Sequence, residues 1–353
     1  MDSLGALSFA LDRQLIAPKS VVDGDLTIVD ASKRNRNFGL LRRSGPSILV
    51  KHGADEDRRA AVANEARVYR ALHAVRGANA LSPYLPAYHG YDDDEGTLVL
   101  EYVTNSRNLR EHTLRTGRFS TAVAAALGDA LARLHLHDVR SFAGEMRRVP
   151  WVLSVHRPTL PVFSGLSESN LQVIRIVQRY PEFRDHLDRL HDQWIATAPI
   201  HGDIKWDNCL VLPRHAPPVK LVDWELAGAG DPDWDIGSVF SAYLGFWQFF
   251  VPVAAGARAA ASVQAARYPL EKMQPAMQAF WRSYARVKQF DEFEAGEHLL
   301  RAVRYTGARL AQTAYELMQT SPDLPGNVVC SLQLSLNILE RPEQAARTLL
   351  GLP

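Results

Sequence analysis

The chain predicts an α+β protein in two unequal parts, and three observations lead there. β-prone runs crowd the first third, helical periodicity fills the remainder, and the composition can bury a large core. Of 353 residues, 46% are hydrophobic and 22% charged, which excludes a disordered or fibrous chain. The reading places a small sheet-bearing part over residues 1–103 and a helical part over residues 104–353.

In order along the chain, residues 26–29, 47–50 and 97–103 read as strands. Between the last two lies a helix over residues 57–75, where Ala61, Val68, Tyr69 and Leu72 recur at helical spacing and Gly77 ends the pattern. Residues 120–137 are rich in alanine and predict a core helix whose small side chains admit close neighbours. Residues 208–212 and 219–222 form a hairpin around a loop holding Pro213, His215, Pro217 and Pro218. The last 120 or so positions are mostly helical. No period of repeats points to a solenoid or propeller.

Charge and cysteine usage narrow the function. Forty Lys and Arg against 39 Asp and Glu leave a net charge of +1, so no field gathers nucleic acid or an anionic membrane. Cys209 and Cys330 are too few for a disulfide framework or a zinc site. Asp2 stands where a secretion signal carries positive charge. The apolar stretch at 239–256 is broken by Ser241, Gln248 and Pro252, so it reads as a buried helix with its exit loop. A cytoplasmic location is expected.

Chemistry concentrates in Ile200-His201-Gly202-Asp203-Ile204-Lys205-Trp206-Asp207-Asn208 and in Lys220-Leu221-Val222-Asp223-Trp224-Glu225. Phosphoryl transfer needs a carboxylate for the attacking hydroxyl, and an amide with a second carboxylate to hold magnesium on the phosphates. The hairpin brings Asn208 and Asp223 to one end of the ribbon. The plainer account makes Asp203 and Asp223 ordinary turn residues. Upstream, Glu65 shares its spacing with Val68, Tyr69 and Leu72, so a carboxylate lies in line with an apolar stripe. An inward charge needs a partner. Lys51, closing the apolar run at 48–50, is the natural one, with Glu56 as a fallback. The other reading leaves Lys51 and Glu65 in solvent.

The segment His201 to Asn208 resembles the H-G-D-x-x-x-x-N loop of aminoglycoside phosphotransferases, choline kinases and their relatives, which share the protein-kinase fold. Asp223-Trp224-Glu225 stands where protein kinases carry Asp-Phe-Gly, and Gly230 to Asp235 resembles the G-D-P-x-x-D segment that follows. The resemblance implies ATP and Mg2+ as cofactors, Asp203 as catalytic base, Asn208 and Asp223 as magnesium ligands, and Asp235 as a buried brace. It implies that Lys51, aligned by Glu65, holds the α and β phosphates. In place of a glycine-rich turn the chain has Ser32, Lys33, Arg34 and Asn35, within a loop taken to run to Gly39, as donors over the triphosphate. An exposed basic turn is the alternative. The strand at 97–103 resembles the adenine-binding hinge, at Glu101 to Val103.

Lys205 takes the position that Ser/Thr protein kinases give to a catalytic lysine, where it neutralises the moving phosphoryl group; a solvent-facing lysine is the other possibility. With that loop, the chain also looks like the stand-alone kinases of class V lanthipeptide and thioamitide pathways, which are paired with a separate lyase. In the C-terminal helices Glu292, Glu294, Glu297 and Glu316 are mixed with Arg282, Arg286, Arg301, Arg304 and Arg309, which is no acidic trap for a polycation. Three functions are therefore expected in order: a kinase for Ser or Thr of a precursor peptide, a small-molecule O-phosphotransferase, and an ATP-binding pseudokinase acting as a partner module.

Overall fold

The computed structural model describes residues 1–32, 35–77, 79–139, 149–159, 166–252, 263–319 and 324–353. Two short helices, α1 (Ser3–Asp12) and α2 (Pro18–Val22), precede β1 (Leu26–Asp30), β2 (Arg36–Arg42) and β3 (Ile48–His52). Helix α3 (Glu56–Ala74) follows, then β4 (Tyr88–Asp92) and β5 (Thr97–Glu101). The five strands form one antiparallel sheet in the order β1-β2-β3-β5-β4. Its two faces are covered separately. Helix α3 buries Val62, Val68, Tyr69 and Leu72 against one, while Phe9 and Ala10 of α1 meet Phe38, Leu40, Ile48 and Val50.

Two expectations change here. Residues 36–39 belong to β2, so the loop ends near Asn35 and not at Gly39. The mixed Arg-Asn-Phe-Gly-Leu-Leu-Arg carries no clean alternation, but pairing with β1 and β3 on both edges makes it a strand. Strand β4 and the two N-terminal helices also lay outside the sequence expectation.

The helical part begins with the short β6 (Arg107–Asn108), α4 (Leu109–Thr116) and α5 (Thr121–Leu134). Next come α6 (Glu168–Arg179), α7 (Pro181–Asp192) and β7 (Ala198–Ile200), then β8 (Cys209–Val211), β9 (Val219–Leu221) and β10 (Gly228–Gly230). It closes with α8 (Pro232–Phe249), α9 (Leu270–Lys288), α10 (Glu292–Leu317), α11 (Gly326–Glu340) and α12 (Pro342–Ala345). Side-chain caps define several starts: Ser120 for α5, Asp231 for α8, and an Asp291/Glu294 capping box for α10.

The small residues of α5 are used as expected. A Cβ on Gly128 would lie 2.3 Å from the carbonyl oxygen of Phe280, so only glycine lets α5 and α9 approach this closely. Helix α8 is buried nearly all round as far as Trp247, which places residues 239–247 of the apolar stretch in the core, while residues 253–256 lie outside the described residues. Among the described residues no helix is long and apolar enough to cross a membrane. The core runs without a break from Val62 and Leu100 through Leu131 to Phe240 and Phe280, so sheet and helical parts meet on packed side chains beneath the cleft. Each fully buried large apolar side chain there contributes about 1.5–3 kcal/mol.

Candidate active site

The loop after β7 is held from beneath. Gly202 has φ +80°, and a Cβ there would meet the Leu226 carbonyl oxygen at 2.6 Å, so this turn accepts glycine alone. The buried Asp235 carboxylate accepts the N–H groups of His201 at 2.7 Å and Gly202 at 3.0 Å. His135, at the end of α5, donates to the same carboxylate at 3.2 Å and accepts from the Tyr284 hydroxyl at 2.8 Å. Burial keeps its imidazole pKa below the ordinary value, in keeping with a neutral ring. The His201 ring accepts from the Asp203 N–H through Nδ1 at 3.3 Å and donates through Nε2 to Val222 O at 3.1 Å.

Asp203 carries the most crowded carboxylate of the loop. Its Oδ2 accepts from Lys205 Nζ at 2.5 Å and from Asn208 Nδ2 at 3.3 Å, while Oδ1 accepts from Arg309 Nη2 at 2.8 Å. Burial works against its charge, but Arg309 and Lys205 outweigh it and hold the carboxyl below the usual range. Asn208 also donates from Nδ2 to the Asp203 carbonyl at 3.0 Å. That commits the amide nitrogen and leaves Oδ1 as the oxygen a cation would use. Asn208 sits in a 3-10 turn and not in the strand, yet its carbonyl accepts from Val222 N at 3.0 Å. The hairpin thus puts Asn208 next to Asp223, as its register requires.

Lys51 closes the site from the sheet side. On β3 its Nζ donates to Glu65 Oε2 at 2.6 Å and to Asp223 Oδ1 at 3.0 Å. Glu65 is completely buried, and its other oxygen accepts from Trp224 N at 3.3 Å. Burial disfavours the ammonium, but the two carboxylates more than offset it, so Lys51 stays protonated. Burial raises the Glu65 pKa with Lys51 pulling against it, whereas Lys51 keeps Asp223 low despite its burial. Asp223 itself has φ +70°, a left-handed conformation costing on the order of 1 kcal/mol.

The nucleotide-loop residues are placed differently from expectation. The Ser32 hydroxyl bonds within its own turn, accepting from Asn37 N at 3.0 Å, and Asn35 Nδ2 donates to Glu225 Oε2 at 3.0 Å. Both side chains are already engaged within the protein, Ser32 Oγ also donating to Asn37 O at 3.4 Å, because a short turn closes on itself and on the segment after Asp223. Lys33 and Arg34 lie outside the described residues. At the end of β5 Glu101 accepts from Ala87 N at 2.9 Å and from Lys220 Nζ at 3.3 Å, and its own N–H donates to Ala87 O. Tyr102 N donates to Ser47 O, and Val103 O accepts from Ser106.

Sequence reasoning missed Arg309 as a neighbour of Asp203, and Asn64, whose amide donates to the carbonyls of Glu225 at 3.0 Å and Ala227 at 3.1 Å. A signal existed for Arg309. Like Glu65, it is a charge set among inward small and apolar neighbours, here Ala308, Leu310 and Ala311. Beside the loop lies a cavity of about 250 Å³ between α8, α10 and α11, walled by Lys205, Asp207, Phe246, Phe249, Arg309 and Glu316.

Among the described residues no group of three or more His, Cys, Asp or Glu forms a metal cluster. Magnesium does not demand one, since it takes one or two protein oxygens and completes its shell with phosphate and water. Lys51 with Glu65 and Asp223 carries an excess of one negative charge when all are ionised, and the amide oxygen of Asn208 is an added neutral donor. This donor set fits such an ion.

Among solved structures, the chain is similar to choline kinase from Cryptosporidium parvum Iowa II, with a TM-score of 0.61 at 11% identity over 99% of each chain. It is also similar to a choline/ethanolamine kinase family protein from Mesorhizobium loti, with a TM-score of 0.53 at 18% identity over 94% of this chain and 95% of that one. A third likeness is to amicoumacin kinase in complex with AMP-PNP, Ca2+ and Ami, with a TM-score of 0.52 at 14% identity over 96% of each chain. A sequence comparison with curated proteins finds no match. The fold is protein-kinase-like, with a small antiparallel sheet lobe and a helical lobe. Residues 25–275 match the model of the phosphotransferase enzyme family (APH), and with most of the chain covered, the chain belongs to that family.

Proposed function

We propose that the protein transfers the γ-phosphoryl group of Mg-ATP to a hydroxyl of a small-molecule acceptor seated beside Asp203. One observation carries this reading: Lys51, Glu65 and Asp223 form one hydrogen-bonded chain across the cleft, and Asp203 with Asn208 lies beside it. When bound, ATP supplies the phosphoryl group and magnesium offsets the charge on its oxygens. Asn208 and Asp223 are the residues to hold the metal. Lys51, kept in place by Glu65, is the cation for the α and β phosphates, and the backbone around Glu101 to Val103 is the place for adenine. Asp203 orients the acceptor hydroxyl and takes its proton; Lys205 swings from Asp203 toward the transferring group. Positioning and charge supply most of the rate.

Support for a small acceptor comes from the cavity, whose volume of about 250 Å³ and mainly apolar wall suit a compact alcohol and whose Lys205 and Arg309 both bond to Asp203. The named likenesses include a choline kinase and an amicoumacin kinase seen with a nucleotide analogue and a divalent cation, which supports the same assignment. A second reading, Ser or Thr of a precursor peptide in natural-product biosynthesis, rests on Lys205. The two divide in one experiment: incubation with Mg-ATP and a mixed pool of alcohols and Ser/Thr peptides, read by mass for a phosphate gain. In the same assay Asp203→Asn should lower turnover by at least about a hundredfold while leaving ATP affinity close to native. Native turnover in that variant removes Asp203 as the base.

A further inference from the structure

We propose that Arg309, 106 positions beyond Asp203, is a positioning residue that pins Asp203 Oδ1 so that Oδ2 faces the acceptor. The inference rests on the reading of Asp203 as the base. It starts from an inequality between the two carboxylate oxygens. Oδ1 is held at 2.8 Å by a guanidinium that is itself 3% exposed. Oδ2 is held by Lys205, whose side chain is 43% exposed, and by the longer bond from Asn208. Lysine has a flexible stem and can leave; a buried planar guanidinium, always charged, cannot.

Arg309 is itself fixed at its far end. Its Nη1 reaches Glu316 Oε1 at 3.4 Å, and Gln312 donates to that same oxygen at 2.8 Å, one turn of α10 along. A buried guanidinium left unpaired is strongly unfavourable, so the pair of carboxylates determines where it lies. The other charged or titratable groups facing Asp203 are Lys205 and His201 from its own loop, with Asp223 beyond Lys205. None of these constrains Oδ1. Because Arg309 and Glu316 also wall the cavity, the long helix α10 carries the orientation of the base and part of the acceptor wall together.

The test uses the full chain with Mg-ATP, water standing in for the acceptor, and phosphate release as the readout. Arg309→Ala is expected to lower kcat by roughly ten- to a hundredfold, the cost of a misplaced reacting group, with KM for ATP within about twofold of native. Guanidinium chloride at about 50 mM should restore a substantial part of kcat, while the neutral analogue urea at the same concentration restores none. A folded Arg309→Ala with native kcat, or one that guanidinium and urea affect alike, overturns the inference. Should that variant not fold, Arg309→Met preserves bulk without a donor; a kcat loss at unchanged KM supports the role and a native kcat overturns it. Asp203→Asn separates the two readings: native turnover there removes the base assignment, whereas an inactive Asp203→Asn beside a native Arg309→Ala removes only the role of Arg309.

Discussion

Two buried charge clusters lie near the loop after β7, and Asp223 in one and Asp231 in the other are shifted in opposite directions. In front, Lys51 sits 2.6 Å from Glu65 and 3.0 Å from Asp223, and the Asp223 carboxyl is held low. Behind, Asp231 caps α8 and Asp233 lies in its first turn, with Arg301 only at 3.5 and 3.8 Å and His298 on Asp233 at 2.9 Å. There burial and the neighbouring Asp233 charge push Asp231 up to about 6. Between Asp223 and Asp231 the difference lies in how near a full cation stands, because the Coulomb energy falls with distance while the desolvation cost does not; the pKa of Glu65, completely buried, is raised even with Lys51 at 2.6 Å. The front cluster keeps Lys51 protonated and Asp223 ionised. The rear one ties α8 to α10 through Tyr305, whose hydroxyl donates to Asp231 at 2.9 Å, and through His298.

The largest effect comes from emptying the front cluster of its cation. Lys51→Met leaves Glu65 buried and unpaired, so unfolding free energy should fall by about 3–5 kcal/mol and phosphate transfer should be lost. Adding Glu65→Leu should return most of the stability in urea titrations without returning activity, because two apolar groups replace the pair but none binds phosphate. A double variant as unstable as the single one would break the comparison.

The rear cluster predicts a smaller effect with a defined direction. An acid whose folded-state pKa stands above its unfolded value binds its proton more tightly in the native chain, so its contribution is complete below about pH 4 and is lost as pH rises through about 6. Asp231→Asn still caps the helix but never ionises. Its stability relative to the native protein should therefore improve from pH 4 to pH 7, by up to about 3 kcal/mol. A constant difference across that range would mean that Asp231 stays ionised. The smallest expected effect calibrates both: Arg175→Ala removes an exposed partner of Glu168 and should change stability by less than about 0.5 kcal/mol.

Much of the front cluster was legible because its signal is local. Glu65 betrayed itself by sharing the spacing of Val68, Tyr69 and Leu72, and Lys51 by ending an apolar run. The hairpin carried Asn208 to Asp223, although Asn208 stops one residue short of the strand. The loop's far end was set too late because Arg36 to Gly39 owe their extended form to β1 and β3, which lie outside any local window. Ser32 and Asn35 looked like free donors for the same reason: their partners, Asn37 and Glu225, are known only once the turn has closed.

Periodicity and motif spacing by themselves determined the α+β class, the inward carboxylate of α3 and the gathering of carboxylates and an amide between His201 and Asp235. Beyond the Lys51–Glu65 pair, which cation meets which carboxylate was decided by the tertiary structure. Arg309 reaches Asp203 because α10 packs along α8, and Asp231 is weakly compensated because Arg301 stops short of it. Hydrophobic spacing repeats along the chain and can be read from it, whereas a buried charge takes its energy from distances between segments that share no sequence neighbourhood.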